Sequence, residues 1–283
     1  MSDTIFNGIV ILDGIPEGEL NTARRLKEDL EDIACYLANG LKVRYVRIET
    51  IDSLESGISK VIHESLNDNL LPWLHLEGHG ILDESGFVLA SGTQCSWTQL
   101  KDIITPLNVT INLNLMLVLA TCFGGSFSTA IRTSDRAPVS GLIGPTREIT
   151  IGQVESGFPT FYRTFFETLS LKRAIEALNR TAPPNLYYGT TAERFFYEVW
   201  AAYKNSQCSE EMITKRAKRM YRELKSKKVN KIPGIGHLKR KIHSMERDLF
   251  VKFRDTYFMY DLDASNKTRF PVTYKKAEAL LNR

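Results

Sequence analysis

The run Gly8-Ile9-Val10-Ile11-Leu12 is apolar wherever it carries a side chain, and a second β-rich run over residues 43–48 follows it after a stretch of helical periodicity. A strand without polar alternation is buried on both faces, as strands inside a parallel sheet are. Between the two runs, Ala23, Leu26, Leu30, Ile33, Ala34 and Leu37 recur at helical spacing within residues 19–37. This is a β-α-β unit. In the second run Arg44 and Arg47 interrupt Val43, Tyr45, Val46 and Ile48, so that strand belongs nearer an edge.

The alternation continues along the chain. A helix over 52–67 leads into a strand over 71–76 that ends at Gly78-His79-Gly80. A short helix over 97–104 precedes a strand over 115–120 that ends at Thr121-Cys122. A helix opens at Gly124-Gly125-Ser126, and a fifth strand spans 138–143 before Gly144-Pro145. Residues 81–92, with Phe87-Val88-Leu89-Ala90 between Gly86 and Gly92, read as a hairpin projecting from the sheet. The fold class is therefore α/β, a mostly parallel central sheet flanked by helices. After Gly157-Phe158-Pro159, helices are expected over 160–180, 192–204, 210–228 and 243–259, with Pro233-Gly234-Ile235-Gly236 as a breaker and no further long strand. Two parts result: an α/β domain over 1–158, and a helical, basic region over 159–283 that docks on it or regulates it.

Charge divides in the same sense. Residues 1–203 hold 16 Lys and Arg against 24 Asp and Glu, and residues 204–283 hold 21 against 9. The simplest role for the basic part, including Lys215-Arg216-Ala217-Lys218-Arg219 through Lys228, is a solvated helical surface. Binding of an activating protein or of nucleic acid are the alternatives its charge leaves open. A composition of 43% hydrophobic and 25% charged residues excludes collagen-like and disordered classes. The longest apolar run, residues 111–120, is broken by Asn112 and Asn114 and falls short of the roughly 20 residues a membrane span needs. Met1-Ser2-Asp3-Thr4 lacks the basic start of a secretory signal. A cytoplasmic protein without a membrane partner is expected. Its four cysteines, Cys35, Cys95, Cys122 and Cys208, show no C-x-x-C spacing, so in a reducing compartment each is core filler or a reactive thiol.

In parallel open sheets, reactive groups collect at the carboxyl edge, where strands feed into loops. His79 stands just past the third strand and Cys122 just past the fourth. If those strands are neighbours, imidazole and sulfur share a groove, and the imidazole together with a following helix amino terminus can activate the thiol. Gly80 and Gly124-Gly125 permit close backbone approach and leave amides free to face an oxyanion. The chemistry would be acyl transfer to Cys122. His75 shares a strand face with His79 but sits deeper, in the core. Glu77 is expected as a satisfied loop carboxylate, with orientation of His79 or lining of the groove as alternatives. Cys35, Cys95 and Cys208 are expected to be structural. Metal-ligand spacings and a Gly-x-x-x-x-Gly-Lys phosphate loop are both missing from the sequence.

The segment Leu74-His75-Leu76-Glu77-Gly78-His79-Gly80, followed by Leu117-Val118-Leu119-Ala120-Thr121-Cys122-Phe123-Gly124-Gly125, resembles the His-Gly and strand-Cys motifs of caspase-like cysteine peptidases, especially the prokaryotic CHAT-type branch. Gly141-Leu142-Ile143-Gly144-Pro145-Thr146 is similar to the next strand of CHAT-type proteins, and the resemblance covers about residues 5 to 150. It implies a caspase-haemoglobinase fold, His79 as general base or acid, Cys122 as nucleophile, and the Gly80 and Cys122 amides as oxyanion hole. It implies no metal or organic cofactor, a protein substrate, and an activated prokaryotic effector role that includes antiviral defence. In those families the residue two before the nucleophile lines the pocket for the side chain preceding the cut, as Gln in caspases, Asp in metacaspases and Glu in legumains. Here it is Ala120, which carries no charge, so an uncharged residue before the cut is expected. A fixed charge requirement would come from Asp135, Arg132, Arg147 or Glu148 on neighbouring loops, or be absent, with Glu77 and Asp135 counted with Ala120 as substrate-binding candidates. Two other classes remain: an inactive scaffold or adaptor that binds a protein or nucleic acid through the basic region, and an acyltransferase or amidase that uses the same dyad on a non-protein substrate.

Overall fold

The computed structural model describes residues 5–38, 40–227 and 231–281; Met1-Ser2-Asp3-Thr4 and Lys228, both used in the sequence reading, lie outside them. The chain forms two compact units, one of Met1–Arg132 and Ala137–Ala192, the other of Thr133–Arg136 and Glu193–Arg283. In chain order the first contains β1 (Gly8–Asp13), α1 (Thr22–Tyr36), β2 (Lys42–Arg47), α2 (Ile51–Asn67), β3 (Pro72–Glu77), β4 (His79–Gly80), β5 (Gly86–Val88) and β6 (Gln94–Ser96). It continues with α3 (Trp97–Thr110), β7 (Met116–Ala120), a 3-10 helix (Gly124–Ala130), β8 (Gly141–Pro145), α4 (Ile151–Thr168), α5 (Leu171–Arg180) and β9 (Tyr187–Thr191).

The central sheet has the order β2-β1-β3-β7-β8-β9, parallel except for β9. The apolar β1 is buried along its whole length between β2 and β3. β2 is the edge, partly exposed, which is why it tolerates Lys42, Arg44 and Arg47. On one face, α1 and α4 pack together, with Leu26, Leu30, Phe158, Phe161 and Tyr162 in one cluster with Ile9, Ile11 and Val118. Burying each such side chain contributes about 1.5–3 kcal/mol. α2 and α3 also pack together, burying Leu54, Ile58, Leu100 and Ile104. Helix starts are fixed locally. Asn21 caps α1, and capping boxes open α2 (Thr50, Ser53), α3 (Ser96, Gln99) and α4 (Thr150, Gln153). β4, β5 and β6 form a separate antiparallel sheet.

Several expectations are corrected. The boundary expected at residue 158 falls inside α4; the first unit runs on to Ala192, because α4 belongs to the core around α1 and β9 pairs with β8. The helix expected over 160–180 is two helices, broken where Leu169 adopts a left-handed conformation (φ 48°) and Ser170 caps α5. The hairpin over 81–92 is part of a three-stranded sheet that starts at His79. The segment after Cys122 is a 3-10 helix whose first amides are used within the turn: Gly124 N–H donates to Thr121 O and Ser126 N–H to Phe123 O. It is no aligned α-helical terminus for the sulfur.

The second unit is helical: α6 (Ala192–Gln207), α7 (Glu210–Ser226), α8 (Ile235–Tyr257), α9 (Asn266–Arg269) and α10 (Tyr274–Leu281). Phe196, Trp200, Phe250, Tyr257 and Phe258 are buried and pack ring to ring. They are core, as their helical spacing implies. Lys204 pairs with the mostly buried Glu246, which also accepts from Tyr274 OH at 2.6 Å. On the basic face, Lys215 pairs with Glu211 at 2.7 Å and Lys239 with Glu210 at 2.8 Å. Among the described residues, no helix is long and apolar enough to cross a membrane.

Candidate active site

β3 and β7 are parallel neighbours, and their last register pair is Glu77 with Ala120. His79 and Cys122 each stand two residues further on. Both line one cleft of about 80 Å3, together with Glu19, Glu77, Gly78, Ala120, Ile149 and Thr150. The sheet's carboxyl edge thus brings the imidazole and the sulfur to one place.

Backbone packing holds them there. A Cβ on Gly80 would lie 2.0 Å from the Cys122 carbonyl oxygen and 2.8 Å from the Cys122 Cβ, so only glycine lets β4 come this close. Ile81 N–H donates to Gly86 O at 3.0 Å. In an antiparallel ladder the adjacent pair, Gly80 with Phe87, is then the non-hydrogen-bonded one, which leaves the Gly80 N–H out of the ladder. No acceptor for the Cys122 N–H occurs among the described residues. Immediately after it, Phe123 takes a left-handed conformation (φ 58°), rare for a bulky residue, and donates its N–H to Arg147 O at 3.2 Å. This sharp turn lifts Cys122 off the end of β7.

The Cys122 sulfur is half-buried and receives the Ile149 N–H at 3.4 Å. His79 is exposed, and its Nε2 lies 2.8 Å from Glu19 Oε2, which leaves Nδ1 as the nitrogen free to serve the sulfur. Glu19 lies in the β1–α1 loop, and sequence reasoning missed it. No local pattern marks a surface acid 60 residues away as a partner of His79.

Glu77 is no loop carboxylate. It ends β3, is 1% exposed, and does not orient His79. Its Oε1 sits 3.0 Å from His75 Nε2, its other oxygen accepts from Thr22 Oγ1, and His75 Nδ1 lies 3.1 Å from Tyr162 OH. Burial, then the Glu77 charge, pushes the Tyr162 phenol well above its ordinary value. Ala120 lines the cleft as a small buried group. Asp135 does not line it; it belongs to the short segment Thr133–Arg136 that clusters with the second unit, where it accepts from Ser134 Oγ at 3.1 Å. Arg132, Arg147 and Glu148 are exposed and outside the lining set as well.

The other thiols differ from Cys122. Cys95 is buried in β6, and burial pushes its thiol up to about 12. Cys35 is exposed on α1 and Cys208 follows α6. Among the described residues no group of three His, Cys, Asp or Glu side chains is arranged to hold a metal ion.

No protein-family model matches the chain, and no curated protein matches it. Among solved structures it is similar to the crystal structure of the Drosophila initiator caspase Dronc, with 13% sequence identity, a TM-score of 0.47, and coverage of 66% of this chain and 80% of that chain.

Proposed function

We propose that the chain is a caspase-like cysteine endopeptidase with Cys122 as nucleophile and His79 as general acid and base. The observation that carries the reading is the single cleft they share, with β4 packed on the Cys122 backbone so closely that Gly80 admits no side chain. The Cys122 thiolate adds to a peptide carbonyl, forming the C–S bond and an oxyanion that the Gly80 and Cys122 amides receive. His79, having taken the thiol proton, returns it to the departing amine as the C–N bond breaks. Water, deprotonated by His79, then hydrolyses the thioester and restores the thiol. Glu19 holds the imidazole so that Nδ1 serves the sulfur, and the Ile149 N–H offers the thiolate a donor.

The CHAT-type resemblance of the two motifs extends the proposal to a cytoplasmic prokaryotic effector, antiviral defence included. It would be activated by a protein or nucleic-acid partner that engages the basic helices. Digestion of an unfolded-protein mixture followed by mass spectrometry of the new termini tests the activity. Wild-type protein should create termini that Cys122→Ala and His79→Ala proteins do not; identical peptide profiles in all three would count against hydrolysis of peptide bonds.

A further inference from the structure

The cleft beside Cys122 has an acidic floor, and we propose that it selects a lysine or arginine at the substrate residue whose carbonyl Cys122 attacks. This rests on the peptidase reading and deepens it. Glu77 and Ala120, the last register pair of β3 and β7, line the same cleft as the imidazole and the sulfur. A side chain descending from a carbonyl held at Cys122 passes Ala120, too small to block it, and meets the Glu77 carboxylate.

The hydrogen-bond partners of that carboxylate are His75 and Thr22, and among the described residues no Lys or Arg pairs with it. The buried Tyr162 hydroxyl has His75 Nδ1 as its partner. Tyr162 OH and Glu77 Oε1 engage the two ring nitrogens of His75, and a carboxylate buried in that setting gains from a cationic partner. Its two oxygens offer about four acceptor sites, of which two are taken. Among the described residues that line the cleft the charged ones are Glu19 and Glu77, with no Lys or Arg. An acidic side chain would be repelled and an apolar one would seal the carboxylate in without a cation; an ammonium or guanidinium supplies one. The uncharged preference expected from Ala120 is thus replaced, because the charge comes from the neighbouring strand.

The test uses three peptidyl acyloxymethyl ketones that differ only in ending with lysine, norleucine or aspartate. Alkylation of Cys122, in which sulfur bonds to the methylene carbon as the carboxylate leaves, is timed by intact-protein mass spectrometry. The lysine probe should react faster than its norleucine isostere on the order of ten- to a hundredfold, the worth of a hydrogen bond between charged groups, and the aspartate probe slowest. Glu77→Gln should collapse the lysine-to-norleucine ratio while norleucine still reacts. The wild-type ratio decides even if that variant does not fold. Norleucine or aspartate reacting as fast as lysine overturns the acidic pocket and leaves the peptidase reading standing. Refusal of all three probes by a Cys122 that iodoacetamide still alkylates overturns the peptidase reading, and this inference with it.

Discussion

Glu19 and His79 are joined across 60 residues by a 2.8 Å contact between Oε2 and Nε2 at the mouth of the cleft. Both side chains are substantially exposed, so the pair is worth little as stability and acts through orientation. Glu19→Ala should lower kcat by up to about fivefold, the scale of an exposed charge pair, with KM nearly unchanged. Glu19→Gln, which keeps a hydrogen-bond acceptor, should recover part of the loss. Steady-state kinetics on a peptide substrate reads this, and a rise in KM alone would assign Glu19 to substrate binding instead.

Gly80→Ala should abolish turnover and lower the melting temperature. The added methyl group would meet the Cys122 carbonyl oxygen at 2.0 Å, and neither backbone can yield without displacing the other. Overpacking of this kind costs about 1–3 kcal/mol or more, and displacement of the nucleophile by about 1 Å costs on the order of a hundredfold in rate. Gly236→Ala, at a site with open space around it, is the control and should leave both quantities near wild type.

Asp13 is buried at the end of β1, where burial pushes its carboxyl up. Hydrogen bonds from Tyr45, Asn21, the Ile15 amide and Arg47 outweigh that and hold it below the ordinary carboxylate value. A carboxyl depressed in the folded state contributes stability that is fully present above its unfolded pKa and lost as pH falls through the folded one. Urea unfolding from about pH 6 down to about pH 2 should therefore show an acid limb that Asp13→Asn flattens, while lowering stability at neutral pH.

Burial separates the thiols. With the Cys95 thiol pushed up to about 12, native protein treated with iodoacetamide at mildly alkaline pH should carry label on Cys122 and on the exposed Cys35, and on Cys95 only in denaturant. Peptide mapping of the adducts checks this. Early labelling of Cys95 would mean that β6 opens in the native state.

The α/β order was legible in the sequence because the strand cores at residues 9–12 and Met116–Ala120 are apolar and helices such as α1 and α2 show clear periodicity. The placement of His79 and Cys122 at strand ends followed from the same pattern, whereas the pairing of those strands as neighbours did not. β9 escaped, because Tyr187–Thr191 is a short edge strand with a central glycine. So did the division between α4 and α5, which depends on one residue's left-handed backbone at Leu169. Glu19 and the role of Glu77 were hidden for another reason. Both depend on contacts with residues distant in sequence, Glu19 with His79 and Glu77 with Thr22, and periodicity carries no information about which loop or helix returns to which strand end.

The most direct measurement is covalent capture with a broadly reactive peptidyl thiol-directed warhead, followed by peptide mapping of wild-type and His79→Ala proteins. Expected is one dominant adduct on Cys122 that forms many times more slowly once the imidazole is gone. Labelling of Cys122 at the same rate with and without His79 would show a thiol that the histidine does not serve, and the dyad would have to be abandoned.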